Sequence, residues 1–378
     1  MCSGGVERRV QELSTRMAKM GHEVFVYARK NYSQKDINNF QGVKIIYLPC
    51  IATKNLEAIT HTFLASLHAI FHRYDVVHYQ APGPSSLCWI VKLFNPGTAL
   101  VATFNSRDEL HQKWGRFAQA YLRFGEWVIS RVPNKTIVVS EILRDYVRKK
   151  YHKNAVVIRN GSAVNIPEGS DEIKRWNLEK NKYFLSVSRL VKHKGIHYLI
   201  KAFRNAQKSN RIPSDFKLAI VDDSANTDDY VSCLKEMSGV DRNIVFVGKQ
   251  TREPLAELFY NAFAFVLPSE AEGLSNSLLE AIGYGIPVIV SSIIENVAVV
   301  LENGLIFKNK DEKDLEEKLV FAINNVWEIK NLSRKAKLQI EKEYSWDKNV
   351  SKTLKLYEDL ISEKSNKGLA FSYFRRLL

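Results

Sequence analysis

Two stretches of this chain carry side chains whose types and spacing could do chemistry. The first reads Pro268-Ser269-Glu270-Ala271-Glu272-Gly273-Leu274-Ser275-Asn276-Ser277-Leu278-Leu279-Glu280. It follows an apolar run over 264–267 and leads into a helical pattern over 276–283. Either Ser275 or Asn276 can cap that helix, leaving free backbone N–H groups and the positive end of the helix dipole turned toward the loop. Such an end attracts anions, pyrophosphate among them. Gly273 lets a ligand come close to the backbone. Glu272 precedes the helix, and Glu280, about one turn inside it, can accept both hydroxyls of a ribose. Two glutamates at this spacing alone would describe an ordinary surface helix. Strand, glycine loop and small polar residues in one run favour a ligand site.

The second stretch reads Ser186-Val187-Ser188-Arg189-Leu190-Val191-Lys192-His193-Lys194-Gly195. A strand ends near Ser188, and a loop carries Arg189 and Lys194 to the start of a helix. Ligands of parallel α/β proteins bind at the carboxyl ends of strands. Arginine grips phosphate bidentately and lysine adds a mobile point charge. By themselves these cations would be a solvated basic loop. Paired with the glycine loop they make a cradle for a nucleotide diphosphate.

Parallel α/β architecture is what these loops require, and the pattern of the chain supplies it. Short β-branched runs at 23–28, 44–48, 76–79, 99–104, 136–139 and 156–158 are separated by helical stretches such as 6–20, 56–72 and 113–130. The polar segment 162–181 reads as a linker. A second alternation then runs from 183 to 307, followed by a long helical C-terminus. So many strands exceed one open sheet, so the expected fold class is α/β, two successive doubly wound Rossmann-like domains. At the start, Gly4-Gly5 leads straight into a helix where a doubly wound domain would place its first, central strand. The first domain is therefore expected to lack its middle strand, with two neighbouring edges left open. A gene model that begins too late is the favoured explanation.

Composition narrows the partners. The 378 residues carry a net charge of +14, with 45% hydrophobic and 25% charged residues. Residues 1–160 hold 23 Lys and Arg against 11 Asp and Glu, so almost all of the excess sits in the first half. No helix-turn-helix, zinc, RNP-type or KH signature accompanies it, which argues against nucleic acid. Instead Arg116, Arg123 and Arg131 alternate with Phe117, Tyr121, Leu122, Phe124, Trp127, Val128 and Ile129. That basic amphipathic helix fits an anionic membrane surface, or a surface helix packed on its own domain. The four cysteines are scattered without metal or disulfide spacing. With no apolar run long enough to span a bilayer and no signal peptide, a cytoplasmic protein is expected, peripheral on the inner face of the cell membrane. His61, His68 and His72 lie near helical spacing, but no carboxylate or cysteine completes a metal site. His78, after the run at 75–77, is placed at a sheet's carboxyl end, where it could line an acceptor cleft.

Gly4-Gly5-Val6-Glu7, the R-L-x-x-x-K-G run at 189–195 and the E-G-L-S-x-S-L-L-E run at 272–280 resemble glycosyltransferase family 4, of GT-B fold. Gly83-Pro84, Thr103-Phe104, Lys113-Trp114, Val139-Ser140 and residues 292–296 resemble its bacterial rhamnosyltransferase-like branch in capsule and O-antigen synthesis. The resemblance covers about residue 3 to about 360. It implies two Rossmann-like domains facing a cleft: an acceptor-side domain over 1–163, a nucleotide-sugar domain over 164–345, and a helix over 346–378 crossing back to the first domain. It implies that Arg189 and Lys194 hold the donor diphosphate, that Glu280 binds the ribose and that Glu272 contacts the donor sugar. Gly5 would stand near the phosphates, and Gly273, Leu274, Ser275 and Asn276 would complete the donor site. The family is retaining and needs no metal or other cofactor.

Two positions depart from the family pattern. Asn105-Ser106 stands where relatives carry His-Gly, with Asp108 retained. Asparagine can hydrogen-bond a sugar but holds no proton near neutral pH. Asp222 stands where a glycine is usual. The function expected is retaining transfer of a sugar, rhamnose by the branch likeness, from a dTDP- or UDP-sugar to a lipid-linked polysaccharide precursor. Glu272, Arg189, Lys194 and Asn105 would be the catalytic group, with His78 and Asp108 on the acceptor side. The alternative is a non-catalytic GT-B protein that binds a nucleotide or glycan.

Overall fold

The computed structural model describes residues 5–29, 37–53, 56–106, 116–162, 164–169, 171–222, 227–239 and 241–375. Two compact units emerge, one holding the chain up to Asn160 together with Trp346 onward, the other holding Gly161–Ser345.

In the first unit, α1 (Gly5–Lys19) is followed by β1 (Phe25–Arg29), β2 (Asn39–Phe40), β3 (Val43–Leu48), α2 (Glu57–Phe71), β4 (Val76–Gln80), α3 (Pro82–Ser85) and α4 (Cys88–Phe94). Then come β5 (Ala99–Phe104), α5 (Arg116–Arg131), β6 (Lys135–Val138), α6 (Glu141–Tyr151) and β7 (Val156–Val157). Strand β5 is buried at all six positions, Thr103 among them, as expected of a mainly apolar strand covered on both faces. Ser140 caps α6 by accepting from the Leu143 amide, a contact typically worth about 1 kcal/mol.

The strands of this unit form two sheets. One has the order β1-β3-β2, the other β4-β5-β6-β7, the latter wholly parallel. Among the described residues no strand joins β1 to β4, the place where the middle strand of a doubly wound sheet would lie. All five residues of β1 are partly accessible, as expected for a strand with one open edge. Helix α1 is anchored by Arg9, a fully buried guanidinium that donates to Asn160 Oδ1 at 2.6 Å and to the carbonyls of Ile158 and Arg159.

The second unit runs through α7 (Asp171–Lys174), β8 (Tyr183–Val187), α8 (Ile196–Lys208), β9 (Lys217–Val221), α9 (Asp228–Ser238), β10 (Ile244–Gly248), α10 (Arg252–Tyr260) and β11 (Ala264–Leu267). It continues with α11 (Asn276–Tyr284), β12 (Val288–Ser291), α12 (Ile294–Val300), β13 (Leu305–Phe307), α13 (Glu312–Asn324) and α14 (Val326–Glu343). Its six strands make one parallel sheet of order β10-β9-β8-β11-β12-β13. Two apolar cores sandwich the sheet, one around Phe184, Phe203 and Leu218, the other around Phe259, Phe265 and Leu279. The final helix α15 (Trp346–Arg375) belongs to the first unit, where it packs on α1 and β5, and Trp346 is buried.

The segment 162–181 is not the linker its polarity suggests. Ser162 donates to the Leu279 carbonyl at 3.0 Å, the Glu172 amide donates to Glu257, and Ile173 and Leu178 are buried in the core of the second unit. Two apolar anchors outweigh a polar average over twenty residues.

Candidate active site

Going across the sheet of the second unit, the chain order runs one way from β8 through β9 to β10 and the other way from β11 through β12 to β13. The reversal falls between β8 and β11, which pair directly. Such a switch point opens a crevice at the carboxyl ends of the strands. The two loops singled out by sequence are the loops that leave β8 and β11.

These loops are stitched to each other. The Glu270 amide donates to the His193 carbonyl at 2.7 Å, and Lys194 Nζ lies 2.5 Å from Glu272 Oε1. The same carboxylate oxygen accepts from Ser269 Oγ at 2.7 Å. Lys194 closes a single 3₁₀ turn over Lys192–Lys194. Gly195 follows with φ +70°, and a Cβ there would run into the carbonyl oxygen of Pro268. A glycine is needed here both for the left-handed backbone and for the contact between loops.

On the β11 side Ser275, not Asn276, is the cap: its Oγ accepts from the Leu278 amide at 3.3 Å, and α11 begins at Asn276. Gly273 and Ser275 are buried, whereas Leu274, Asn276 and Glu280 are half-buried. Arg189 is half-buried too, and its guanidinium has no ion-pair or hydrogen-bond partner among the described residues. The two cations therefore differ: Lys194 is neutralised by Glu272, while Arg189 is available to an anion. Arg189, Lys194, Glu272, Gly273, Leu274, Ser275, Asn276 and Glu280 thus share one end of one sheet.

A supporting shell escaped sequence reasoning. Ser291 Oγ at the end of β12 donates to the Ser269 carbonyl at 2.5 Å, and Asn296 Nδ2 donates to Ser291 Oγ at 3.0 Å. Glu270 accepts from Tyr198 OH at 3.0 Å and pairs with Lys310 at 2.9 Å. Burial and the Glu270 carboxylate push the Tyr198 phenol up to about 12. The available signal was a serine ending an apolar strand, which implies a polar duty at that sheet edge. Asp222 ends β9 with φ +106°, a conformation that suits glycine.

The remaining candidates lie in the first unit. Gly5 is the exposed first residue of α1. Asn105 follows β5, with its amide nitrogen buried and without a partner among the described residues. Asp108 lies outside the described residues. His78 is not at a sheet's carboxyl end: β4 continues to Gln80, in register with Thr103, so His78 is the middle residue of the strand. Both ring nitrogens are engaged, Nδ1 with Tyr357 OH at 2.5 Å and Nε2 with Thr103 Oγ1 at 2.7 Å. Burial, with Arg9 nearby, lowers its pKa to about 3. It is a structural, neutral imidazole.

Two α/β units in one chain, with a parallel sheet of this order in the second, define the GT-B fold class. The model of Glycosyltransferase Family 4 matches residues 3–164, and that of Glycosyl transferases group 1 matches 170–339. The chain belongs to the glycosyltransferases of GT-B fold. An uncharacterised glycosyltransferase of Methanocaldococcus jannaschii is 25% identical over 94% of this chain and 95% of its own length. The O-antigen chain mannosyltransferase of Salmonella typhimurium is 29% identical over 56% of each chain. Among solved structures, Anabaena HepE, crystallised with UDP and glucose, superimposes with a TM-score of 0.78 at 16% identity, over 94% of this chain and 96% of that one.

Proposed function

We propose that the protein moves a sugar, with retention of configuration, from a nucleotide diphosphate donor to a lipid-linked precursor of a cell-surface polysaccharide. The observation that carries this reading is the pairing of loops at the β8/β11 switch point, with an open arginine, a lysine and a capped helix N-terminus at one sheet end. The likeness to an O-antigen mannosyltransferase supports the polysaccharide context, and the UDP and glucose of HepE support a UDP-sugar, with dTDP-sugars as the other donor class.

In this reading the bond between the sugar's anomeric carbon and the diphosphate oxygen breaks as the acceptor hydroxyl oxygen bonds to that carbon. The hydroxyl proton passes to the departing diphosphate. Arg189, Lys194 and the amides at the start of α11 stabilise the charge that develops there, and need no metal to do so. Glu280 holds the ribose, Glu272 and Asn105 meet the donor sugar, and Gly5 approaches the phosphates. Lys194 exchanges part of its bond to Glu272 for phosphate when donor arrives, and Glu272 is released toward the sugar. The sugar itself is proposed as rhamnose on the branch likeness. The acceptor side belongs to the first unit, on the cytoplasmic face of an anionic membrane.

Donor turnover by the purified chain tests the reading. Release of free nucleotide diphosphate that depends on acceptor, and is lost in Arg189→Ala and Glu280→Ala, supports it. Nucleotide binding without any turnover would replace it with a non-catalytic GT-B protein.

A further inference from the structure

Helices α2, α4 and α5 form a row in the first unit, with α4 touching both others. Each of the three exposes large apolar side chains. On α5, Arg123, Phe124, Trp127 and Arg131 are exposed, one stripe at helical spacing, while Leu122, Glu126, Val128 and Ile129 are buried. Phe124 and Trp127 stack with ring centroids 6.2 Å apart, and the Arg131 guanidinium lies over Trp127 at 5.8 Å. The inner face cannot be turned outward to hide these rings. Gly125 sits so close to α3 that a Cβ would strike the Pro82 carbonyl.

Helix α4 buries Cys88, Ile90 and Val91 but exposes Trp89, Leu93 and Phe94, the last two by more than 60%. Helix α2 is inverted: its buried stripe is Thr62, Ser66 and Ala69, and its exposed residues include Phe63 and Phe71, the latter 84% accessible. A helix that buries small polar groups and exposes phenylalanines is built for apolar surroundings on its outer side. Large apolar side chains exposed on three helices that touch in series mark an interaction surface.

Charge selects the occupant. The exposed cations of α5 border the patch, and the acids of the three helices are removed from it. Glu57 pairs with Arg29, and Glu126 is buried under Tyr146, Lys150 and Tyr151. Aromatic rings with arginines at their edge, and no exposed acid on these three helices among the described residues, match the interface of a bilayer containing anionic lipid. Among the described residues no helix is long and apolar enough to cross a membrane, so contact would be made by this face lying in the headgroup layer.

We propose that the α2–α4–α5 face docks on an anionic lipid surface. The inference deepens the proposed function, since it rests on a lipid-borne acceptor as the reason for docking.

The test is co-sedimentation of the full chain with phosphatidylcholine vesicles, with and without phosphatidylglycerol, beside the variants Leu93→Glu/Phe94→Glu and Arg123→Glu/Arg131→Glu. These residues are exposed and belong to the first unit, whereas the loops after β8 and β11 belong to the second, so melting temperature and UDP-induced stabilisation serve as controls for folding. The wild type should bind the anionic vesicles preferentially. Loss of arginine should weaken binding about fivefold per residue, and the apolar double variant should lose at least about tenfold. Salt should reduce wild-type binding without abolishing it. Unchanged vesicle binding in both variants would overturn the proposal. So would self-association that the variants abolish in a wild type with no vesicle affinity, because a second copy would then be the occupant. Vesicle binding without any response to nucleotides would leave docking standing and remove the transferase reading. A nucleotide response without vesicle binding would do the reverse.

Discussion

Lys194 Nζ lies 2.5 Å from Glu272 Oε1 and thereby ties the loop leaving β8 to the loop leaving β11. Both side chains are largely buried, at 14% and 8% accessible, so the pair sits in a medium that strengthens attraction and penalises an unmatched charge. A site that binds a polyanion must spend its cations on the ligand. Here one cation is held in reserve on a carboxylate, and a neighbouring one, Arg189, is open.

The pair predicts an asymmetric mutant. Glu272→Gln releases Lys194 to the phosphates, so a nucleotide diphosphate without sugar should bind more tightly, by about threefold to tenfold. In the proposed reading transfer should fall, because Glu272 no longer offers the donor sugar a carboxylate. Lys194→Ala should weaken the same nucleotide about tenfold or more, the usual loss for a charge-assisted bond, and lower the melting temperature by stranding Glu272. Calorimetric titration with UDP and dTDP checks both. Equal weakening in the two variants would contradict the reserve role.

Asp222 holds φ +106° at the end of β9. A residue with a Cβ is strained there by about 1–3 kcal/mol, and glycine is not. Glycine's greater freedom when unfolded offsets part of this, so Asp222→Gly should stabilise by about 1 kcal/mol. Chemical denaturation measures it. A lower midpoint in the variant would mean that the bonds of Asp222 outweigh its strain.

His78 predicts a pH dependence. Its pKa is lowered to about 3 in the fold against about 6.5 unfolded, so between those values only the unfolded chain takes up the proton. Stability contributed by the neutral ring is full above pH ~6.5 and drains away as pH falls toward 3, at up to about 1.4 kcal/mol per unit. His78→Gln has no such titration and should show a shallower loss of melting temperature from pH 7 to pH 5. Parallel curves for the two proteins would show that His78 is not responsible.

The donor loops were legible because their information is local. Strands 99–104 and 264–267 have the bounds their apolar runs indicate, and a glycine loop after such a strand reads directly as a strand-to-helix turn. What escaped is what depends on partners distant in sequence. His78 looked like a strand-end residue until Thr103 and Tyr357, 25 and 279 positions away, claimed its two nitrogens. The 162–181 segment looked like a linker because polarity averages over the two residues that anchor it. The inverted burial of α2 was hidden for the same reason: an apolar helix with a weak amphipathic pattern does not say which side faces the core.

The central claim is that the second unit binds a nucleotide diphosphate at the β8/β11 switch point. Thermal melting of the full chain against UDP, dTDP and GDP and their sugars tests it most directly, since a ligand that binds only the folded state raises the midpoint with the logarithm of its excess over Kd. The account predicts a nucleotide-selective rise that disappears in Arg189→Ala and Glu280→Ala, each measured against the variant's own unliganded melt. A cooperative melt that no nucleotide moves, or a rise that both variants retain in full, would contradict it.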